Sequence, residues 1–277
     1  MIGFLNEGER WIGELSDGAV RPVASVDSYF AATGVTHASP GPRGGRPDSI
    51  LALAGLQLAP PVPLTAKVFC VGLNYREHAE ETGLASGPDA PTVFGRWADT
   101  LTTHGTTVPV PPGDDGLDWE GELAAVVGRP LLNADEGEAT AAIWGWTCMN
   151  DLSARRLQTA TSQWTLGKNG DLTAPLGPVV VVPDDGFDYR GRRLTTRLNG
   201  DIVQDANTSQ MIFTPGAVLS YISRALTIRP GDVVALGTPS GIGITRTPPL
   251  LARPGDVLEV GITGIGTLRN RIGPHSG

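Results

Sequence analysis

Leu117-Asp118-Trp119-Glu120-Gly121-Glu122 runs without a break into Leu123-Ala124-Ala125-Val126-Val127, and a chain holding such a stretch has few ways to fold around it. The apolar tail has the length and β-branched content of a buried strand. In a strand alternate side chains share a face, so Glu120 and Glu122 project together. Gly121 between them leaves the opposite face open to close backbone approach. Two carboxylates entering a buried strand need water or a positive partner, because burying an unpaired charge is costly. A polar strand end wetted by solvent is one reading. A hard divalent cation, which takes oxygen ligands, is the other.

Thirty-seven glycines and 23 prolines in 277 residues favour many short strands and tight turns over long helices. A formal charge of −8 with no basic cluster argues against nucleic acid as a partner. No apolar run approaches membrane-spanning length, so no membrane partner is expected. Glu7, Glu9 and Glu14 do not fit a secretory signal, and the expected location is cytoplasmic. Cys70 and Cys148 lie in apolar contexts and read as reduced packing residues, with a disulfide or reactive thiol as the alternative.

Residues 1–62 read as a small accessory domain containing β-strands, and 63–277 as the main domain. Asp17-Gly18 predicts a hairpin, Ser25 to Ala32 a short helix, and His37 to Asp48 a loop. Lys67 to Gly72 opens the main domain as a buried strand. Asn74 is the expected N-cap of a helix ending at Gly83, with Glu77 completing a capping box. On that helix His78 and Glu81 are neighbours, either a base with its orienting carboxylate or a solvated pair. The strand Trp144 to Met149 delivers Asp151 at its end, as a third metal ligand, as the N-cap of a helix through Arg155, or as both. Arg155 and Gln158 would share a helical face with it. Lys168 sits in a glycine-bounded loop. Asn199-Gly200 marks a second hairpin, Pro215 the first turn of a helix, and Pro230-Gly231 and Pro254-Gly255 turns that feed strands.

Other motifs fail. Gly241-Ile242-Gly243 lacks the last glycine of a dinucleotide fingerprint, since Arg246 stands there, and Pro248 and Pro249 follow. No phosphate-binding P-loop or H-E-x-x-H is present, and four scattered histidines do not suggest zinc.

The order and spacing of these features are specific. Gly72-Leu73-Asn74-Tyr75 with His78 and Glu81, Asp118-Trp119-Glu120-Gly121-Glu122-Leu123, Asn150-Asp151-Leu152-Ser153-Ala154-Arg155 with Gln158, Gly167-Lys168, and Gly237-Thr238-Pro239 together resemble the fumarylacetoacetate hydrolase family, in its smaller acylpyruvase form. The resemblance runs from about Lys67 to Asn270. It implies a strand-rich α+β fold, a mixed β-roll or sandwich with a small N-terminal β-containing domain, in a homodimer. It also implies one Mg²⁺ or Mn²⁺ on Glu120, Glu122 and Asp151, with Lys168, His78 and Glu81 as catalytic groups. Arg155, Gln158 and Thr238 match substrate-binding positions. Arg96 replaces a lysine common in relatives, and as a planar fork it suits a carboxylate-bearing substrate.

The activity so implied is hydrolysis of a C–C bond in a 1,3-diketo acid, an acylpyruvate-like small molecule, through an enolate that the ion stabilises. His78, oriented by Glu81, would take a proton from the attacking water. Leu73, an arginine in the mammalian-type acylpyruvases, and the nearby Trp97 leave room for a larger or more apolar substrate. Decarboxylation or enol–keto isomerisation of a 2-oxo acid on the same metal site is the alternative. A non-catalytic ligand-binding protein of the same fold is a third.

Overall fold

The computed structural model describes residues 1–31, 50–81, 83, 88–183 and 187–274. The loop expected over 37–48, and His37 and His275, lie outside the described residues.

Among the described residues three sheets carry the fold. β1 (Ile2–Asn6), β2 (Glu9–Ser16), β3 (Ala19–Ser25) and β4 (Leu51–Ala52) form the first, in that order. The turn between β2 and β3 places Asp17 and Gly18 at positive φ, as its hairpin signal requires. The short helix α1 (Val26–Ala31) follows.

Twelve further strands follow: β5 (Lys67–Gly72), β6 (Thr92–Trp97), β7 (Leu101–Thr102), β8 (Thr107–Pro109), β9 (Gly121–Val127), β10 (Ile143–Asn150), β11 (Ala174–Val181), β12 (Arg193–Leu198), β13 (Asp201–Asn207), β14 (Val233–Ala235), β15 (Val257–Ile262) and β16 (Gly266–Gly273). The central sheet has the order β6-β5-β14-β9-β10-β11-β7, and the third sheet the order β13-β12-β15-β16-β8. Both are mixed. β14 runs parallel to β5, β11 to β7 and β16 to β8, and the other pairings are antiparallel. The helices are α2 (Arg76–Glu81), α3 (Glu136–Ala141), α4 (Arg155–Thr159), α5 (Thr165–Lys168) and α6 (Pro215–Ser223). Among the described residues no helix is long and apolar enough to cross a membrane.

Every residue of β9 is buried because the strand separates two cores. Leu123, Ala125 and Val127 face α3, α6 and the third sheet, beside Val218, Leu219 and Val260. Ala124 and Val126 face Tyr29, Phe30 and Trp144. α1 of the N-terminal segment therefore shares a core with the central sheet, and Trp144 Nε1 donates to the Tyr29 hydroxyl at 3.1 Å. By alternation Glu122 lies on the same face as Ala124 and Val126, at the end of that second core. Opposite it, a Cβ on Gly121 would lie 2.2 Å from Thr196 Oγ1, so the third sheet crosses where the side chain is missing.

Four local expectations are corrected. The Asn74 side chain does not cap α2; its amide donates to the carbonyls of Phe213 and Leu236, and its oxygen accepts from the Phe213 N–H at 2.7 Å. Glu77 forms no capping box and accepts from the Ser240 hydroxyl. Asp151 does not cap a helix: α4 begins at Arg155 after Ala154, and the Asp151 carboxylate is taken by Lys168 and Arg96. Lys168, expected in a loop, closes the short helix α5.

Candidate active site

The chain around residues 118–127 runs antiparallel to 143–153. The pairing continues past the strand ends, where Asp118 and Ser153 exchange backbone hydrogen bonds of 2.9 and 3.0 Å. The Asp151 N–H donates to the Glu120 carbonyl at 2.8 Å, and the Glu120 N–H to Asn150 Oδ1 at 3.0 Å. This ladder sets Asp151 beside Glu120 and Glu122. One oxygen of each carboxylate lies within 4.8 Å of the others, and all three residues are buried.

Three cations meet the cluster. Lys168 Nζ donates to Glu120 Oε2 at 2.8 Å and to Asp151 Oδ2 at 2.7 Å. Arg155 pairs through Nη2 with Glu120 Oε1 at 2.7 Å, and through Nε with Asp118 Oδ2 at 2.8 Å. Arg96, on β6, binds Asp151 Oδ1, the Leu152 carbonyl at 3.2 Å and the Thr173 hydroxyl at 2.6 Å. Sequence reading assigned Arg96 to a substrate carboxylate. It instead lies behind the site with both terminal guanidinium nitrogens bonded to the protein, and it does not line the cavity described below.

The electrostatics separate the three acids. Burial opposes ionisation of Glu120, but Lys168 and Arg155 overcome it and lower its carboxyl to about 2. Burial, then the charges of Asp151 and Glu120, hold Glu122 well above the usual carboxylate range. Lys168 and Arg155 are raised despite burial, by Asp151 and Glu120 in one case and by Glu120 and Asp118 in the other. Four carboxylates (Asp118, Glu120, Glu122, Asp151) thus meet three cations, and Glu122 is the one left without a counter-charge. An all-oxygen donor set with one carboxylate in excess fits a hard divalent cation.

Above the cluster lies a cavity of about 470 Å³. Glu120, Arg155, Gln158 and Lys168 line its polar side, and His78 lines it from α2. His78 Nδ1 lies 3.2 Å from Glu81 Oε2. Burial raises the Glu81 carboxyl, but hydrogen bonds from His78, Thr245 and Gly241 outweigh it and leave it lowered. Arg155 Nη1 donates to Gln158 Oε1 at 2.7 Å. Thr238 is set apart: its buried hydroxyl donates to the Gly121 carbonyl and accepts from Gln204.

Asp118 was given no role by the sequence reading. It holds Arg155 while accepting the N–H groups of Gly243 and Ile244, at 2.6 and 3.0 Å, and so ties α4 to the glycine-rich loop. The same alternation that pairs Glu120 with Glu122 puts Asp118 in phase with both. Cys70 and Cys148 are buried and free, and burial pushes Cys148 up to about 12. Neither lines the cavity.

The family model for the fumarylacetoacetate (FAA) hydrolase C-terminal region matches residues 67–273. The oxaloacetate tautomerase YisK of Bacillus subtilis is 38% identical over 224 residues, covering 80% of this chain and 74% of that protein. The crystal structure of a 2-hydroxyhepta-2,4-diene-1,7-dioate isomerase from Mycobacterium marinum superposes with a TM-score of 0.78 at 30% identity, over 100% of this chain and 98% of that one. The fumarylacetoacetate hydrolase of Exiguobacterium antarcticum superposes with a TM-score of 0.83 at 28% identity, over 99% of each chain. The family match begins with β5 and ends with β16, so that it takes in the whole carboxylate cluster and its cavity, and the chain belongs to the fumarylacetoacetate hydrolase family.

Proposed function

We propose that this protein is a divalent-metal-dependent enzyme that interconverts the enol and keto forms of a 2-oxo acid. One observation carries the reading: the buried Glu120–Glu122–Asp151 cluster reaches, through Glu120 and the adjoining Lys168, a cavity that His78 also lines. Relatives named as a tautomerase and an isomerase favour this chemistry over the C–C hydrolysis expected from the sequence resemblance.

Glu120, Glu122 and Asp151 would hold a Mg²⁺ or Mn²⁺ ion, which would supply Lewis acidity toward the 2-oxo acid. Lys168 brings a second positive charge to the end where the 2-oxygen becomes negative as its proton leaves. Gln158 Oε1 is occupied by Arg155, so its amide nitrogen is the group left for the substrate carboxylate. With Nδ1 engaged by Glu81, His78 uses Nε2 to accept the proton that leaves the enol oxygen and to deliver it to C3. Ketonisation moves one proton from the enol oxygen to C3 and breaks no carbon–carbon bond.

The His78–Glu81 pair favours hydrolysis as a second reading, because the same base can take a proton from water. Product analysis separates the two. Enol forms of oxaloacetate and phenylpyruvate are mixed with the enzyme and Mg²⁺, and loss of enol absorbance is followed against a chelator control. An acylpyruvate is incubated in parallel. Faster ketonisation with intact carbon skeletons is the expected result. Rapid release of pyruvate from the acylpyruvate would overturn the isomerase reading for hydrolysis, and its release from oxaloacetate would do so for decarboxylation.

A further inference from the structure

The cavity has two unlike linings. Besides its charged groups it has an apolar wall of Leu73, Phe94, Trp164, Ile242 and Ile244, with the hydroxyl residues Thr159 and Thr245 at its side. This wall is built rather than incidental. The Trp164 ring meets Phe94 edge-on, with centroids 5.3 Å apart at 78°, and Trp164 packs so closely on Gly72 that a Cβ there would lie 3.1 Å from it. Phe94 in turn lies under Lys168, whose Nζ is 5.1 Å from the ring centroid.

No free cation faces this wall. Arg155 and Lys168 are the lysine and arginine side chains on the cavity wall among the described residues, and both are paired with protein carboxylates. His78 is paired with Glu81, whose own carboxylate adds negative charge on the α2 side. A second carboxylate would meet apolar carbon and no counter-charge.

From this apolar wall and its lack of an unpaired cation we infer that the substrate is a 2-oxo acid with one carboxylate, whose far end is an uncharged apolar group of aryl or branched-alkyl size. The inference takes the binding of the oxo-acid end at the cluster from the function proposed above, and it sets this protein apart from relatives named for dicarboxylates. A ring seated on Trp164 and Ile244 gains apolar burial, whereas a carboxylate there loses its hydration.

The test is equilibrium binding, by calorimetry at neutral pH with Mg²⁺ present, of phenylpyruvate and oxaloacetate, which share the oxo-acid end. Phenylpyruvate is expected to bind about tenfold more tightly or better. Ile244→Lys, at a half-exposed position that tolerates the change, is expected to shift the ratio toward oxaloacetate by about tenfold, and Leu73→Arg to do the same from the other side of the cavity. Equal or tighter binding of oxaloacetate by the wild type overturns the inference, as does a ratio that neither substitution moves. Tighter binding of phenylpyruvate without ketonisation of either acid leaves the inference standing and sinks the proposed activity. Ketonisation of both with oxaloacetate preferred does the reverse, and binding of neither sinks both.

Discussion

The backbone N–H of Gly237 donates to Glu122 Oε2 at 2.7 Å, and among the described residues this buried carboxylate receives no other hydrogen bond. Gly237 is held there at φ +95°, where a Cβ would lie 2.7 Å from that of Asn74. One N–H does not offset the burial of a charge beside Asp151 and Glu120, which is why the Glu122 carboxyl is pushed so far up. Mg²⁺ or Mn²⁺ is therefore expected to raise the Tm of the wild type. An ion at about a hundred times its Kd stabilises by about 2.7 kcal/mol. Glu122→Gln keeps the shape and drops the charge. In chelator it should be at least as stable as the wild type, and it should lose most of the gain on adding metal. Thermal unfolding with and without chelator decides this, and equal gains in both proteins would remove Glu122 from the ligand set.

Lys168 plays the opposite part, since it belongs to the protein's own neutralisation of the cluster. Lys168→Met leaves Glu120 and Asp151 buried with one partner fewer each. Breaking a buried pair from one side costs about 3–5 kcal/mol, to be read as a lower urea midpoint in chelator. With metal restored, a fall in kcat of about 10²–10³-fold is expected from the lost charge at the developing oxyanion. A variant as active as the wild type would confine Lys168 to a structural role.

The contact between α2 and the loop at Gly241 and Thr245 carries its own pH dependence. Glu81 is lowered from 4.5 by bonds that join α2 to the loop at Gly241 and Thr245, in addition to His78. A depressed carboxyl contributes stability that is fully present above its unfolded value and is lost as pH falls through the folded value. The window thus opens below about pH 4.5. Hydrogen exchange of the Gly241 amide should accelerate in that window relative to amides of β9, after correction for the intrinsic rate. Glu81→Gln should abolish the step while weakening the dock at all pH values. A step persisting in Glu81→Gln would assign it to another group.

What could be read in the chain beforehand follows the range of the interactions. Asp17-Gly18 and Asn199-Gly200 announce hairpins because both residues of each pair accept positive φ, a property of two adjacent residues. Arg229 to Asp232 and Arg253 to Asp256 close their turns locally, with each aspartate accepting the N–H three residues back. Glu120 and Glu122 share a face by alternation alone. Asn74 looked like a helix cap because its partners, Phe213 and Leu236, lie 139 and 162 positions away. Nothing local near Arg96 announces Asp151, 55 positions on, and nothing local near Asp118 announces the N–H groups of Gly243 and Ile244.

Arg96 thus yields a prediction that sequence reading alone would have placed elsewhere. Its guanidinium reaches Asp151, the Leu152 carbonyl and Thr173 at once, which a lysine ammonium on a flexible stem cannot reproduce. Arg96→Lys is expected to weaken metal binding by about 10–100-fold, as loss of a group that orients a metal-ligating carboxylate does. The ratio of phenylpyruvate to oxaloacetate binding should stay unchanged, because Arg96 does not line the cavity. Metal titration by calorimetry checks the first expectation. A changed substrate ratio with unchanged metal affinity would return Arg96 to the substrate.

Gly167 sets how closely α4 and α5 approach. A Cβ at this position would lie 2.4 Å from Gln158 Cα and 2.5 Å from its backbone nitrogen, distances that no side-chain movement relieves. The Gly167 carbonyl also accepts the Ala154 N–H at 2.9 Å, just before α4 begins. Arg155 and Gln158 stand on one of these short helices and Lys168 on the other, so the gap between them fixes how the polar side of the cavity closes. Gly167→Ala must separate the two helices, at a cost of about 1–3 kcal/mol in the urea-unfolding free energy. Glu120, Glu122 and Asp151 are anchored by β9, β10 and their continuations, outside this contact. The variant is therefore expected to keep most of its metal-induced gain in Tm while its KM rises for every 2-oxo acid turned over. Unchanged stability and KM together would show that α4 and α5 can part without disturbing the site.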